Sequence, residues 1–199
     1  MGDIKSAFEI AMEKISKIEE ATLEERLKWK FFPKGEQLAA KYLKEDVNLL
    51  SELNNYKGDD RMWVTQGAVD VLARSIDLPK NDATKKTNRK AMDGLKLLKK
   101  DKSGVENLYS KIRYVFNHYT EQGEQQRKQA YEQLKVQFAA KLQQAMQQQL
   151  GTSARVNMRD INIERHPQFL DEWRRVQGQL EAQYIEHLNE YRKELIEIP

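Results

Sequence analysis

The chain has 199 residues, of which 39% are apolar and 33% charged, with a net charge of +3 and no cysteine. Disulfide and thiolate chemistry are thereby excluded, and the charge exceeds the roughly 25% of an ordinary globule. Large apolar residues recur throughout and only 4 prolines interrupt them, which points to long helices with much solvated surface rather than to disorder.

The first expected helix runs from Asp3 to Glu20, with Ile4, Phe8, Ala11, Ile15 and Ile18 on one stripe and Asp3 as its N-cap. A second pattern follows from Thr22 through Leu23, Leu27 and Phe31, until Pro33 and Gly35 break or kink it. Leu38, Tyr42 and Leu43 belong to a resumed turn. Asp46 to Tyr56 is helical through Leu49, Leu50 and Leu53 and ends at Gly58. Asp59 or Asp60 caps the next helix, whose stripe is Met62, Val69, Leu72 and Ile76 and whose stop is Pro79.

Lys80 to Lys102 carries nine basic residues against three acids, a local charge of +6. Its helical pattern (Ala91, Leu95, Leu98) is weak, so it reads as an exposed helix or a partly ordered connector. Ser103 then opens a long helix. Val105, Tyr109, Ile112, Phe116, Tyr119, Ala130, Leu134, Phe138, Leu142 and Ala145 share a face, and Gly151 supplies the stop. Residues 152–166 alternate apolar and polar at Val156, Met158, Ile161 and Ile163, so short extended segments are expected there. Pro167 suits a first helical position. Phe169, Trp173, Val176, Leu180, Tyr184, Leu188, Tyr191 and Leu195 form the last stripe. Both long stripes advance about 3.6 to 3.7 residues per step, which favours nearly straight packing over a left-handed supercoil.

The fold class expected is all-α. Residues 1–102 form an N-terminal helical region that includes the basic connector 80–102, and residues 103–199 form a long antiparallel helical hairpin. Folding back at the 151–166 turn puts Phe169 near Gln148 and Leu195 near Gln122. The aromatic-rich stretch from Val105 to Tyr119 then needs the N-terminal helices to cover it. Two helices cannot bury a core alone, so a second copy is expected to pack on the hairpin through Phe138, Leu142, Trp173, Leu180 and Tyr184.

Signals for chemistry are weak. His118, His166 and His187 have no metal-ligand spacing and read as helix-face or helix-entry residues. The single glycines form no phosphate loop. Eleven glutamines between Gln122 and Gln149 read as the polar face of a helix rather than as an aggregation-prone tract. The basic stretch is the candidate polyanion site, through Lys85, Lys86, Arg89, Lys90, Lys96, Lys99 and Lys100. It lacks the interleaved aromatics that stack on bases.

The opening Met1-Gly-Asp-Ile-Lys-Ser-Ala-Phe-Glu-Ile-Ala-Met-Glu-Lys14 resembles the start of a family of uncharacterised bacterial helical proteins. The likeness continues in the Gln-rich long helix and in the Pro167-Gln168-Phe169 step before the final helix. It implies a bacterial protein and assigns no site residues. The favoured reading is a non-enzymatic interaction or scaffold protein, homodimeric and without a cofactor. Charge every few residues from Asp3 to Lys17 and the lack of a long apolar run point to the cytoplasm rather than a membrane. The alternatives are a nucleic-acid or polyanion binder using Lys80–Lys102, and an enzyme with a carboxylate site among the N-terminal helices.

Overall fold

The computed structural model describes residues 22–45, 47–150 and 162–199. The expected first helix, the Gly151 stop and the extended pieces at Val156, Met158 and Ile161 lie outside the described residues. Among those described, 87% are helical and none is in a strand. The elements are α1 (Leu23–Lys44), α2 (Leu49–Leu53), α3 (Gly58–Arg74), α4 (Asp82–Leu98), α5 (Lys102–Leu150), a short 3-10 turn (Ile163–Arg165) and α6 (Pro167–Glu197). Ile163 thus enters a helical turn rather than an extended segment.

The described residues divide into two compact units. The first holds 22–77, 82–108 and 192–199, and the second holds 78–81 and 109–191. The long helices α5 and α6 each contribute residues to both.

In the first unit, α1 starts at a reciprocal cap. The Thr22 hydroxyl accepts from the Glu25 amide at 3.2 Å, and the Glu25 carboxylate accepts from the Thr22 amide at 2.8 Å. The helix then runs unbroken through Pro33 and Gly35, contrary to the expected break. Pro33 is on the exposed face, where the Trp29 carbonyl that loses its amide donor can turn to water. Gly35 serves packing instead. A Cβ on Gly35 would overlap the Val64 carbonyl oxygen, and one on Gly67 would overlap the Phe32 carbonyl oxygen. Helices α1 and α3 therefore meet backbone to backbone at a pair of glycines.

Around that crossing Phe31, Leu53, Trp63 and Val64 form the core, with Leu27, Phe32, Leu38, Tyr56 and Leu98 against it. Trp63 and Val64, not Met62, lead the buried face of α3. Gly58 takes φ of 51° and opens that helix, so Asp59 and Asp60 lie in its first turn rather than at the cap. Asn48 caps α2 by accepting from the Ser51 amide at 3.1 Å.

The basic stretch is not a loose connector. Its helix, α4, buries Asn88, Ala91, Met92, Gly94 and Leu95. Ala91 and Gly94 add little bulk to this face beside Met92 and Leu95, yet it packs tightly: a Cβ on Gly94 would press on Leu72 and Tyr42 at 2.9 Å. Buried Asn88 brackets Asp77, accepting from its amide at 2.8 Å and donating to its carbonyl at 2.6 Å. Arg192 donates through Nε to the Ile76 carbonyl at 2.8 Å.

In the second unit, α5 and α6 pack antiparallel. Phe169 is fully buried, with ring centroids 5.6 Å from Phe138 and 5.5 Å from Tyr131. Farther along, Tyr119 meets Tyr184 at 5.4 Å, and Lys111 lies 5.5 Å from the Tyr191 ring. The axial register thus differs from that expected. Phe169 sits beside Tyr131 and Phe138 rather than beside Gln148. Within the first unit the end of α6 lies along the start of α5, where a Cβ on Gly104 would touch Ile198 at 3.5 Å. Leu195, just before that contact, belongs to the first unit, whereas Gln122 belongs to the second. Periodicity fixes which face of each helix is apolar but not how far one helix slides along the other. With this register α6 itself supplies cover for the Tyr119 end of the aromatic-rich stretch.

Candidate functional site

The features singled out from the sequence lie on α4 and along the α5–α6 seam. The seven candidate cations of the basic stretch have different environments. Lys90 donates to the Glu45 carbonyl at 2.7 Å and stands over the Tyr42 ring. Lys96 pairs with Glu106 at 2.6 Å, and Lys85 with Asp82 at 3.2 Å. Lys99 is buried, and its ammonium donates to the carbonyls of Ile196, at 2.8 Å, and Ile198. Burial pulls that ammonium below the ordinary lysine value. The side chains of Lys86, Arg89 and Lys100 are exposed and pair with no acid among the described residues. The seven cations do not form one surface: Lys90 and Lys99 are committed to backbone carbonyls within the fold.

The five candidate interface residues lie along the α5–α6 seam. Leu134, Phe138 and Phe169 are its buried centre, and Tyr131, Leu142, Ile163, Trp173 and Val176 pack around them. Phe138 is thus spent within the chain. Leu142, Trp173, Leu180 and Tyr184 are half-buried, and the Tyr184 hydroxyl lies 2.9 Å from Nδ1 of His118. His166 packs against Phe138, and His187 lies 3.5 Å from Glu190.

Sequence reasoning missed the polar centre of this seam. Glu181 is buried among apolar stripe residues. Its carboxylate accepts from the Lys80 ammonium at 2.6 Å and from the Tyr119 hydroxyl at 2.9 Å. Arg127 lies 4.1 Å over the Tyr119 ring and donates to the Tyr119 carbonyl at 3.2 Å. Burial alone would push the Glu181 carboxyl up. The hydrogen bonds from Lys80 and Tyr119, with the charges of Lys80 and Arg127, outweigh that and hold it below its ordinary value. A general acid needs the opposite shift. The group is better suited to holding α6 in one axial position on α5, since sliding either helix strands a buried charge.

Glu181→Gln is expected to cost about 2 kcal/mol near neutral pH. The figure is below that of a fully buried pair, because Lys80 is 44% exposed and solvent screens it. The folded pKa is the lower one, so the stabilisation is complete above the ordinary value of 4.5 and is lost as pH falls through the folded value. Urea titrations of both proteins at pH 7 and in acid should therefore show a deficit at pH 7 that closes in acid.

Among the described residues no cluster of three or more His, Asp or Glu side chains could hold a metal ion. Comparison with curated proteins and with solved structures gives no match. The opening from Met1 to Lys14 that carries the resemblance noted above lies outside the described residues and outside the matched part of the chain. That part is residues 50–197, which match the family of unknown function DUF6657, and the chain belongs to that family.

Proposed function

We propose that the protein is a non-enzymatic helical interaction protein that works as a homo-oligomer through its α5–α6 pair. The observation that supports this is the rim of the α5–α6 seam in the second unit. There Leu142, Trp173, Val176, Leu180 and Tyr184 stay partly exposed beside the buried Leu134, Phe138 and Phe169. Two packed helices leave such rims open, and a second copy is the simplest layer that closes them. Leu142 and Leu180 have no polar role, and a urea titration beside the association measurement separates loss of intrachain packing at Leu142 from loss of association. Leu142→Glu with Leu180→Glu should abolish association in sedimentation velocity while the circular dichroism spectrum stays helical. Association that persists in this double variant would remove the proposed surface. A bacterial, cytoplasmic setting belongs to the same reading. The resemblance of the first fourteen residues supports the source, and among the described residues no helix is long and apolar enough to cross a membrane.

A second reading is polyanion binding through α4. It is favoured by exposed Lys86, Arg89 and Lys100, and weakened by the internal bonds of Lys90 and Lys99. Filter binding with single-stranded RNA at two salt concentrations separates the readings. An interaction protein should show at most weak retention at physiological salt, unchanged in Lys86→Gln/Arg89→Gln. Tight binding whose salt slope becomes shallower in that variant would favour the polyanion reading.

A further inference from the structure

The first unit contains a cavity of about 870 Å3 that the association surface does not use. Its size falls within the ~300–1,000 Å3 of small-molecule sites. Leu50, Met62, Leu97 and Ile196 line it, and each is more than a third exposed. Four of the large apolar side chains that this chain leaves uncovered thus open onto one hollow, which lone exposed residues do not do. Leu53 and Val69 form deeper, buried wall.

The polar part of the lining mixes cations with acids, and one cation is buried. Lys99 is 7% exposed, and its ammonium donates to the Ile196 and Ile198 carbonyls. An ammonium has three N–H groups, so one remains. No carboxylate of the described residues pairs with it, and a buried charge held only by neutral carbonyls gains from a counter-ion. Arg61 and Lys100 also line the hollow. Of its acidic groups, Asp70 pairs with Arg74 at 3.0 Å, Glu197 lies at the end of α6, and the Pro199 carboxylate accepts from the Lys100 and Asp101 amides at 2.9 and 3.1 Å.

We propose that this cavity binds an amphipathic monocarboxylate, an aliphatic chain lying on Leu50, Met62, Leu97 and Ile196 with its carboxylate on the Lys99 ammonium. The inference goes beyond the association proposed above and does not rest on it. Lowering of the Lys99 pKa by burial fits a cation that a bound anion would restore to its ordinary charge.

Isothermal titration of the full chain with decanoate below its micellar concentration, and with decan-1-ol, tests it. Saturable decanoate binding is expected, with decanol at least tenfold weaker. Lys99→Met should bring the two ligands to equal affinity. Lys99 also holds the end of α6, so Met62→Trp carries the test if Lys99→Met does not fold. It fills the hollow from an exposed position and should weaken decanoate at least tenfold with unchanged circular dichroism. No saturable decanoate binding, equal affinity for decanol in the unmodified chain, or binding that survives Met62→Trp would each overturn the proposal. Self-association that Met62→Trp abolishes, without decanoate uptake, would overturn it in favour of a second copy as the occupant.

Discussion

Gly35→Ala is expected to destabilise the first unit by about 3 kcal/mol, at the upper end for an overpacked core. Two effects oppose each other. Alanine gains about 1 kcal/mol over glycine inside a helix. Against this, the new methyl overlaps the Val64 carbonyl oxygen and comes within 2.8 Å of the Ala68 amide nitrogen. Backbone atoms of α3 cannot swing aside as a side-chain tip can, so the two helices must separate along their whole crossing. Gly67→Ala should behave alike, because its methyl overlaps the Phe32 carbonyl oxygen. Gly178 is the internal control. It lies in α6 with nothing within 4 Å of its added Cβ, so Gly178→Ala should gain most of the helix-propensity term, roughly 0.5–1 kcal/mol. Urea titration followed by circular dichroism measures all three. A neutral Gly35→Ala would show that α1 and α3 do not approach this closely.

Phe169→Ala should be costlier still, about 4 kcal/mol, as for large rings truncated in packed cores. The ring is fully buried and meets Tyr131 and Phe138 edge-on, so its loss removes one ring partner from each. Leu134 and Trp173 are too far engaged with the same cluster to collapse into the gap. Because Phe169 anchors the axial position of α6, self-association should weaken along with stability. Thermal unfolding reads the first effect and sedimentation the second. A variant that loses stability and keeps full association would show that the associating surface does not depend on the seam.

The sequence made the helices legible where spacing and end signals agree. The apolar stripe from Val105 to Ala145 locates α5, and Pro167 marks the first residue of α6, because a 3.6-residue period and a proline cap are local properties. The failures are non-local. Gly35 has the same local signature whether it ends a helix or admits a second backbone, and only Gly67 opposite decides. The basic stretch hides its buried face because Ala91 and Gly94 carry little hydrophobic signal. The register of α6 on α5 depends on Glu181 reaching Tyr119 and Lys80, which no periodicity encodes. Of the candidate site, the apolar rim was legible, since Leu142, Trp173 and Leu180 follow the stripe. The buried carboxylate was not, because a glutamate beside Leu180 on a charged helix looks like any solvated one. The hollow around Lys99 is assembled from α2, α3, the end of α4, the α4–α5 turn and the end of α6, which are distant in sequence.

The association claim is tested most directly by the mass of the unmodified full chain. Sedimentation equilibrium at tens of micromolar should give a species of at least twice the 23.4 kDa chain mass, dissociating on dilution. A single species of 23.4 kDa across that range would contradict the account, leaving the half-buried rim of Leu142, Trp173 and Leu180 for a different protein to cover.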